Sequence, residues 1–179
     1  MPTQRNPAAN HSSACAGVTI GSAPSIATIT PSGSVSGDAV HASHNMCRAL
    51  VPADRQFSDD QIRALLERNA VIGMALDAWM LYPGWKVGQT TNEVVSLANV
   101  ADHVDHVCQI AGNAKHVGIG SDLDGGFGNE QAPHDLGTIA GMQKLDGILK
   151  SRGYSDADID GIFHGNWLRF FTESLPKGS

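Results

Sequence analysis

Apolar residues along the chain alternate between short unbroken runs and helical spacing. The run "AVHAS" at 39–43 predicts a short strand that ends at His44. "SDDQIRALLERN" at 58–69 opens with Ser58 as a cap, carries acids in its first turn, and spaces Ile62, Leu65 and Leu66 for one face of a helix. "AVIGMAL" at 70–76 has no polar alternation, the pattern of a strand covered on both faces. A loop with Trp79, Tyr82 and Trp85 follows. "NEVVSLANVADHVDHVCQIAG" at 92–112 then sets Val94, Leu97, Val100, Val104, Val107 and Ala111 along one side of a long helix that stops at Gly112. "HVGIG" at 116–120 is too short for a helix and reads as a buried strand, followed by Asp122, Asp124 and a glycine-rich loop. "PHDLGTIAGMQKLDGILKSRG" at 133–153 predicts a helix with proline at its start and Gly153 at its end. A Ser-capped turn over 155–165 and a last helix in "NWLRFFTESL" close the pattern.

Strands therefore alternate with helices, and the strands are far enough apart for crossovers of about 30 residues or more. This is an α/β chain with a parallel sheet. A doubly wound sheet and part of a TIM barrel both fit, and both place ligand chemistry at the C-terminal ends of the strands. Those ends carry Ser43-His44-Asn45, then Asp77, then Asp122 and Asp124. A histidine and an aspartate meeting on one rim suit metal binding or proton transfer. Taken by itself, Asp122 also fits an ordinary turn aspartate before glycine.

Composition divides the chain near Gly37. Residues 1–37 are rich in Ala, Ser, Thr, Pro and Gly and hold no acidic residue, which predicts a low-complexity, disordered leader with at most a weak strand at "VTI" or "IATI". The globular part is expected over 38–179. The formal net charge of −6, without a basic cluster, speaks against a nucleic-acid partner. No apolar run reaches membrane-span length and no secretory h-region is evident, so neither a membrane span nor export is expected. Cys15, Cys47 and Cys108 show no CxxC spacing and read as reduced thiols, which points to the cytoplasm.

Four ordered blocks carry a resemblance: "SHNMCRALVPADRQFSDDQIRAL", "AVIGMALDAWMLYPGW", "HVGIGSDLDGG" and "HGNWLRFF". Together, over roughly 38–175, they resemble the C-terminal part of the membrane (renal) dipeptidase family, peptidase family M19, in its bacterial branch. The resemblance implies the last three strands and helices of an amidohydrolase-type (β/α)8 barrel. It also implies two zinc ions at the rim and hydrolysis of dipeptides. His44 matches a zinc-binding histidine on the sixth strand. Arg55 matches the arginine that grips the substrate carboxylate, a role suited to a guanidinium fork. Asp122 matches the catalytic acid/base on the eighth strand, and Asp124 then supports the loop. His134, after the glycine-rich loop, is placed to reach the substrate.

Other features of that family have no counterpart here. The first-strand H-x-D pair, the glutamate bridging both zincs and the fifth-strand histidine are missing; His11 is followed by Ser13 where Asp belongs. "SHNM" inverts the usual order after the histidine, and His41 replaces an apolar strand residue. A full barrel takes about 250 residues. The expectation is therefore a truncated and impaired zinc dipeptidase. The alternative is an inactive remnant acting at most as a binding or subunit fragment. An open fragment with a bare sheet edge predicts marginal stability or association with itself or a complementing chain. Among the remaining residues, His103 and His106 read as a solvated helix flank and His116 as structural. His164 and Asn166 read as fixing the last helices. Trp79, Tyr82 and Trp85 read as a pocket wall or loop packing, and Cys47 lacks the placed base a nucleophile needs.

Overall fold

The computed structural model describes residues 39–175 and the strand Val18–Ile20. Apart from that strand, the leader predicted over 1–37 lies outside the described residues. The sheet has four strands in the order β1 (Val18–Ile20), β2 (Val40–Ala42), β3 (Ile72–Met74), β4 (Val117–Ile119). The expected parallel trio is present as β2, β3 and β4, with Ala42 opposite Ile72 and Ile72 opposite Val117. The "VTI" strand adds to it antiparallel, Val18 opposite Ala42.

Helix α1 (Asp59–Glu67) crosses from β2 to β3. It starts where Ser58 and Gln61 exchange capping hydrogen bonds. The four-residue α2 (Ala78–Leu81) begins the aromatic loop after β3. Helix α3 (Leu97–Ala111) crosses from β3 to β4 and is shorter than predicted. Residues 92–94 form a separate 3₁₀ turn, so Val94 falls outside the buried stripe and is exposed. Ile62 and Leu65 of α1, Val100, Val104 and Val107 of α3, and Ile72, Met74 and Val117 of the strands meet in one buried core.

The helix predicted over 133–153 forms only at α4 (Lys144–Ser151), after a 3₁₀ stretch at Ile139–Gln143. Gly137 takes a left-handed backbone conformation (φ 70°), which interrupts a right-handed helix. Before it, the His134 backbone N–H donates to the Val95 carbonyl (2.9 Å), and Asp135 Oδ1 accepts from Leu97 N–H (2.9 Å) at the start of α3. The predicted turn over 155–165 is instead helical. Helix α5 (Asp156–Asp160) runs through a π-helical turn at Gly161–Gly165 into α6 (Asn166–Ser174).

At the β4 end of the sheet, the outward carbonyls of the strand are capped by side chains. His116 and Gly120 bond β3, through Ile72 N–H to the His116 carbonyl (2.8 Å) and Gly120 N–H to the Met74 carbonyl (3.0 Å). The carbonyls of Val117 and Ile119 therefore point to the other side. There they accept from Asn166 Nδ2 (2.7 Å) and Trp167 Nε1 (3.0 Å). Two side chains of the last helix stand where a strand would otherwise be needed. Asn166 thus does fix the last helices, whereas His164 is exposed.

Candidate active-site rim

Three strand ends converge because backbone can approach backbone closely there. The Ser43 carbonyl lies against Gly73 and Gly120; a Cβ at either would fall 2.1 or 1.7 Å from its oxygen. A larger residue at either position would push the end of β2 away, and His44 with it. Pairing also continues past the strands, with Asn45 N–H on the Gly73 carbonyl (2.8 Å) and Leu76 N–H on the Ser121 carbonyl (3.0 Å).

On this rim His44 Nε2 stands 3.8 Å from Asp122 Oδ2, each side chain 17% exposed. His44 Nδ1 is hydrogen-bonded to Ser43 Oγ at 2.8 Å, while Nε2 is buried without a hydrogen-bond partner. With the proton on Nδ1, donated to Ser43, Nε2 presents a free lone pair. Burial pushes the His44 pKa down, and the Arg55 charge adds to that; Asp122 and Asp124 pull the other way. The neutral ring is favoured. Asp122 itself takes a left-handed backbone conformation (φ 57°), tolerable for aspartate, and its carbonyl accepts from Gly125 N–H (2.8 Å). A Cβ at Gly125 would meet the Asp122 carboxylate at 2.6 Å. The glycine after "SDLD" thus makes room for the carboxylate to fold back over its own turn.

Arg55 donates through Nη2 to the His44 carbonyl (3.4 Å), and its guanidinium lies 5.9 Å from the Trp79 ring centroid, within cation–π range. Its Nε is buried without a partner. Asp77, at the end of β3, is buried. It caps α2 at Trp79 N–H (3.4 Å) and accepts from Gln131 Nε2 (2.9 Å). Burial raises the Asp77 pKa and the charge of Asp122 adds to the rise, against the hydrogen bonds from Gln131 and Trp79. Asp124 is exposed on the loop.

The fold brings His44 and Asp122 together, as their places at strand ends suggested, and sets Arg55, from the loop after β2, against the His44 carbonyl. The His134 ring Nδ1 bonds the Val95 carbonyl (2.7 Å). The supporting residues were harder to foresee. His103, read as a solvated flank, is fully buried, and its Nδ1 accepts from Cys47 N–H (3.0 Å) just beyond the rim. Burial lowers its pKa to about 4. The signal was present in the sequence: His103 sits three residues after Val100 and four before Val107, on the buried stripe. His106 pairs with Asp59 (2.7 Å) and His116 with the Ala70 carbonyl (2.9 Å). Gln56 ties the rim to α2, accepting from Met46 N–H (3.2 Å) and donating to the Met80 carbonyl (3.0 Å). Burial pushes the Cys47 thiol up to about 12, far from a nucleophile's range.

With the proton on Nδ1, His44 Nε2, buried without a hydrogen-bond partner, would have the chemistry of one metal ligand. A catalytic zinc takes about three protein ligands. Among the described residues no group of three or more His, Cys, Asp or Glu could hold a metal ion. These residues therefore do not fit a complete metal centre.

The family model for membrane dipeptidase (peptidase family M19) matches residues 20–175. The chain belongs to that family. The match begins inside the segment read as a leader. An uncharacterized protein in the pqqA 5′ region of Klebsiella pneumoniae is 32% identical over 129 residues, covering 72% of this chain and 44% of that protein. Dipeptidase aclJ of Aspergillus oryzae is 35% identical over 127 residues, covering 71% of this chain and 28% of its own length. A metallopeptidase from Rhodobacter sphaeroides, solved with a phosphinate mimic of the dipeptide L-Ala-D-Ala, superposes with a TM-score of 0.65 at 24% identity. It covers 75% of this chain and 36% of that one. The chain thus spans less than half the length of these relatives, and its parallel sheet and crossover helices are part of a TIM barrel of the amidohydrolase type. No helix among the described residues is long and apolar enough to cross a membrane.

Proposed function

We propose that this chain carries the C-terminal portion of a dipeptide-hydrolysing site. The observation that supports it is the pairing of His44 Nε2 with Asp122 at 3.8 Å on the strand-end rim, with Arg55 alongside. In this reading Arg55 holds the dipeptide's free carboxylate with its planar fork. Asp122 takes a proton from the water whose oxygen adds to the peptide carbonyl carbon. It returns that proton to the amide nitrogen as the C–N bond breaks, leaving two amino acids. The buried rim strengthens both interactions by lowering the local dielectric.

Zinc is the metal proposed, two ions in a complete family site, with His44 as one ligand. The remaining ligands would come from residues outside the described ones or from a second chain, either another copy or a complementing partner. Cys47 and Cys108 are free thiols, which favours a reducing, cytoplasmic setting.

The test is a zinc-supplemented assay with L-Ala-L-Ala, comparing the chain with its Asp122→Asn variant, alongside metal analysis of the purified protein. Turnover that disappears in the variant supports the proposal. The incomplete ligand set favours a second reading, an inactive remnant that binds at most a partner chain or a small carboxylate. Absence of both bound zinc and turnover would establish that one.

A further inference from the structure

Asp77 stands where two sides of the rim meet. Leu76 N–H bonds the Ser121 carbonyl (3.0 Å), so the residues that follow, Asp77 and Asp122, leave neighbouring strand ends together. Only 5% of Asp77 is exposed. A carboxyl buried to that degree is costly unless it is hydrogen-bonded. Its Oδ1 accepts from two segments. One donor is Gln131 Nε2 (2.9 Å), in the loop that follows Asp122; the other is Trp79 N–H (3.4 Å), in α2. Capping α2 does not by itself account for this arrangement. The helix has four residues, and a cap requires no second donor from a distant loop.

Helix α2 in turn holds the Arg55 segment. The Trp79 ring lies 5.9 Å from the Arg55 guanidinium. The Met80 carbonyl accepts from Nε2 of the next residue, Gln56 (3.0 Å). Gln56 is fully buried, and its Oε1 accepts from Met46 N–H (3.2 Å), two residues past His44. A shift of α2 would therefore carry Arg55 with it. Asp77 thus has one hand on the Arg55 side of the rim and one on the Asp122 side.

We propose that Asp77 is a positioning residue that fixes the spacing between Arg55 and Asp122. Through α2 it holds the first, and through Gln131 it holds the loop that follows the second. The inference rests on the roles proposed for those two residues. Their spacing decides which peptides fit, because a free carboxylate must reach Arg55 while the bond to be broken lies at Asp122. Asp77 and Gln131 are then determinants of selectivity for a substrate whose carboxylate lies one residue beyond that bond. Neither touches the reacting atoms. Burial raises the Asp77 pKa and favours the neutral carboxyl, whose carbonyl oxygen an asparagine would reproduce.

The test measures ligand affinity of the full chain by calorimetry. The probe is 5-aminolevulinate, an analogue of Gly-Gly in which a CH₂ group replaces the amide nitrogen, so that it is not consumed. Its methyl ester lacks the free carboxylate. The unaltered chain should bind the acid about tenfold to a hundredfold more tightly than the ester, the range for hydrogen bonds to a charged group. Arg55→Ala, the control for the carboxylate grip, should abolish that preference. Asp77→Ala and Gln131→Ala should each remove most of it, and Asp77→Asn, which keeps the accepting oxygen, should retain it. A merely structural role would weaken acid and ester alike and leave their ratio unchanged. Gln131 is only partly buried, so its variant decides the matter where Asp77→Ala does not fold. If Arg55→Ala removes the preference but Gln131→Ala and folded Asp77→Ala leave it, the inference is wrong and the proposed function stands. Loss of the preference in Asp77→Asn would equally overturn the role of the accepting oxygen. If the unaltered chain binds neither ligand, or Arg55→Ala keeps the preference, the proposed carboxylate grip falls, and the spacing assigned to Asp77 falls with it.

Discussion

Two polar clusters in this molecule have opposite characters. Beside α3 and α4, Arg152 donates to Asp105 (2.5 Å), Asp102 (2.8 Å) and the Ala98 carbonyl (3.0 Å), while the Tyr154 hydroxyl donates to Asp105 (2.8 Å). Both guanidinium Nη atoms there are engaged. On the rim, His44 Nε2 and Arg55 Nε are buried without partners, Asp77 is held towards its neutral form, and Asp122 adopts an unusual backbone conformation. Buried polar atoms left unpaired cost stability, about 1–3 kcal/mol each. The Arg152 cluster joins helices; the rim leaves groups unpaired that the proposed function would give to a ligand.

The largest expected contrast is catalytic. Asp122→Asn should cut dipeptide turnover about 10²- to 10⁴-fold, the range for losing a general acid/base, and leave the thermal midpoint nearly unchanged. A large drop in midpoint with turnover intact would erase the distinction between the clusters. Next is pH. His103 is buried neutral with its pKa lowered to about 4. Below the ordinary histidine pKa of about 6.5 the unfolded chain gains a proton that the folded chain refuses. Stability should therefore fall as pH drops from about 6.5 to about 4, by about 3 kcal/mol in total from this residue. His103→Asn can still accept from Cys47 N–H and does not titrate, so denaturant titrations across that window should show a flatter slope for the variant. Asn166→Leu leaves the Ala114 and Val117 carbonyls without their donor and should cost about 2 kcal/mol in urea unfolding. The smallest effect belongs to the satisfied cluster. Arg152→Met should cost about 1 kcal/mol, with part of the loss masked at high salt because its pairs are partly solvated. A cost above that of Asn166→Leu would mean that Arg152 matters more than its solvated pairs allow.

The parts legible in the sequence were those with a local signature. Unbroken apolar runs marked β2, β3 and β4, and the acids and histidine that follow them marked the rim. Ser58 and Gln61 marked the start of α1. What escaped depends on contacts between distant segments. The late start of α4 follows from the left-handed Gly137, in a segment tied to Val95 and Leu97 through His134 and Asp135, which no periodicity within 133–143 encodes. His103 was misread because histidine between two acids, Asp102 and Asp105, looks solvated, although the helical spacing from Val100 put it inside. The cover on the β4 edge was hidden for the same reason. Asn166 and Trp167 read as part of a helix, and only the folded chain shows which carbonyls they meet.

The π-helical turn at Gly161–Gly165 makes that cover a matter of counting. An ordinary helix advances about 100° per residue, and a π turn accommodates one residue more than an α turn before the helix resumes. Were the same five residues wound as α-helix, everything beyond would be rotated by about 100°, carrying Asn166 and Trp167 off the Val117 and Ile119 carbonyls together. Those carbonyls would then lose both donors without one substitution in the residues that supply them. The chain's protection against pairing with a stray strand is thus written in the spacing of "GIFHG", where a scan for changed side chains would not find it.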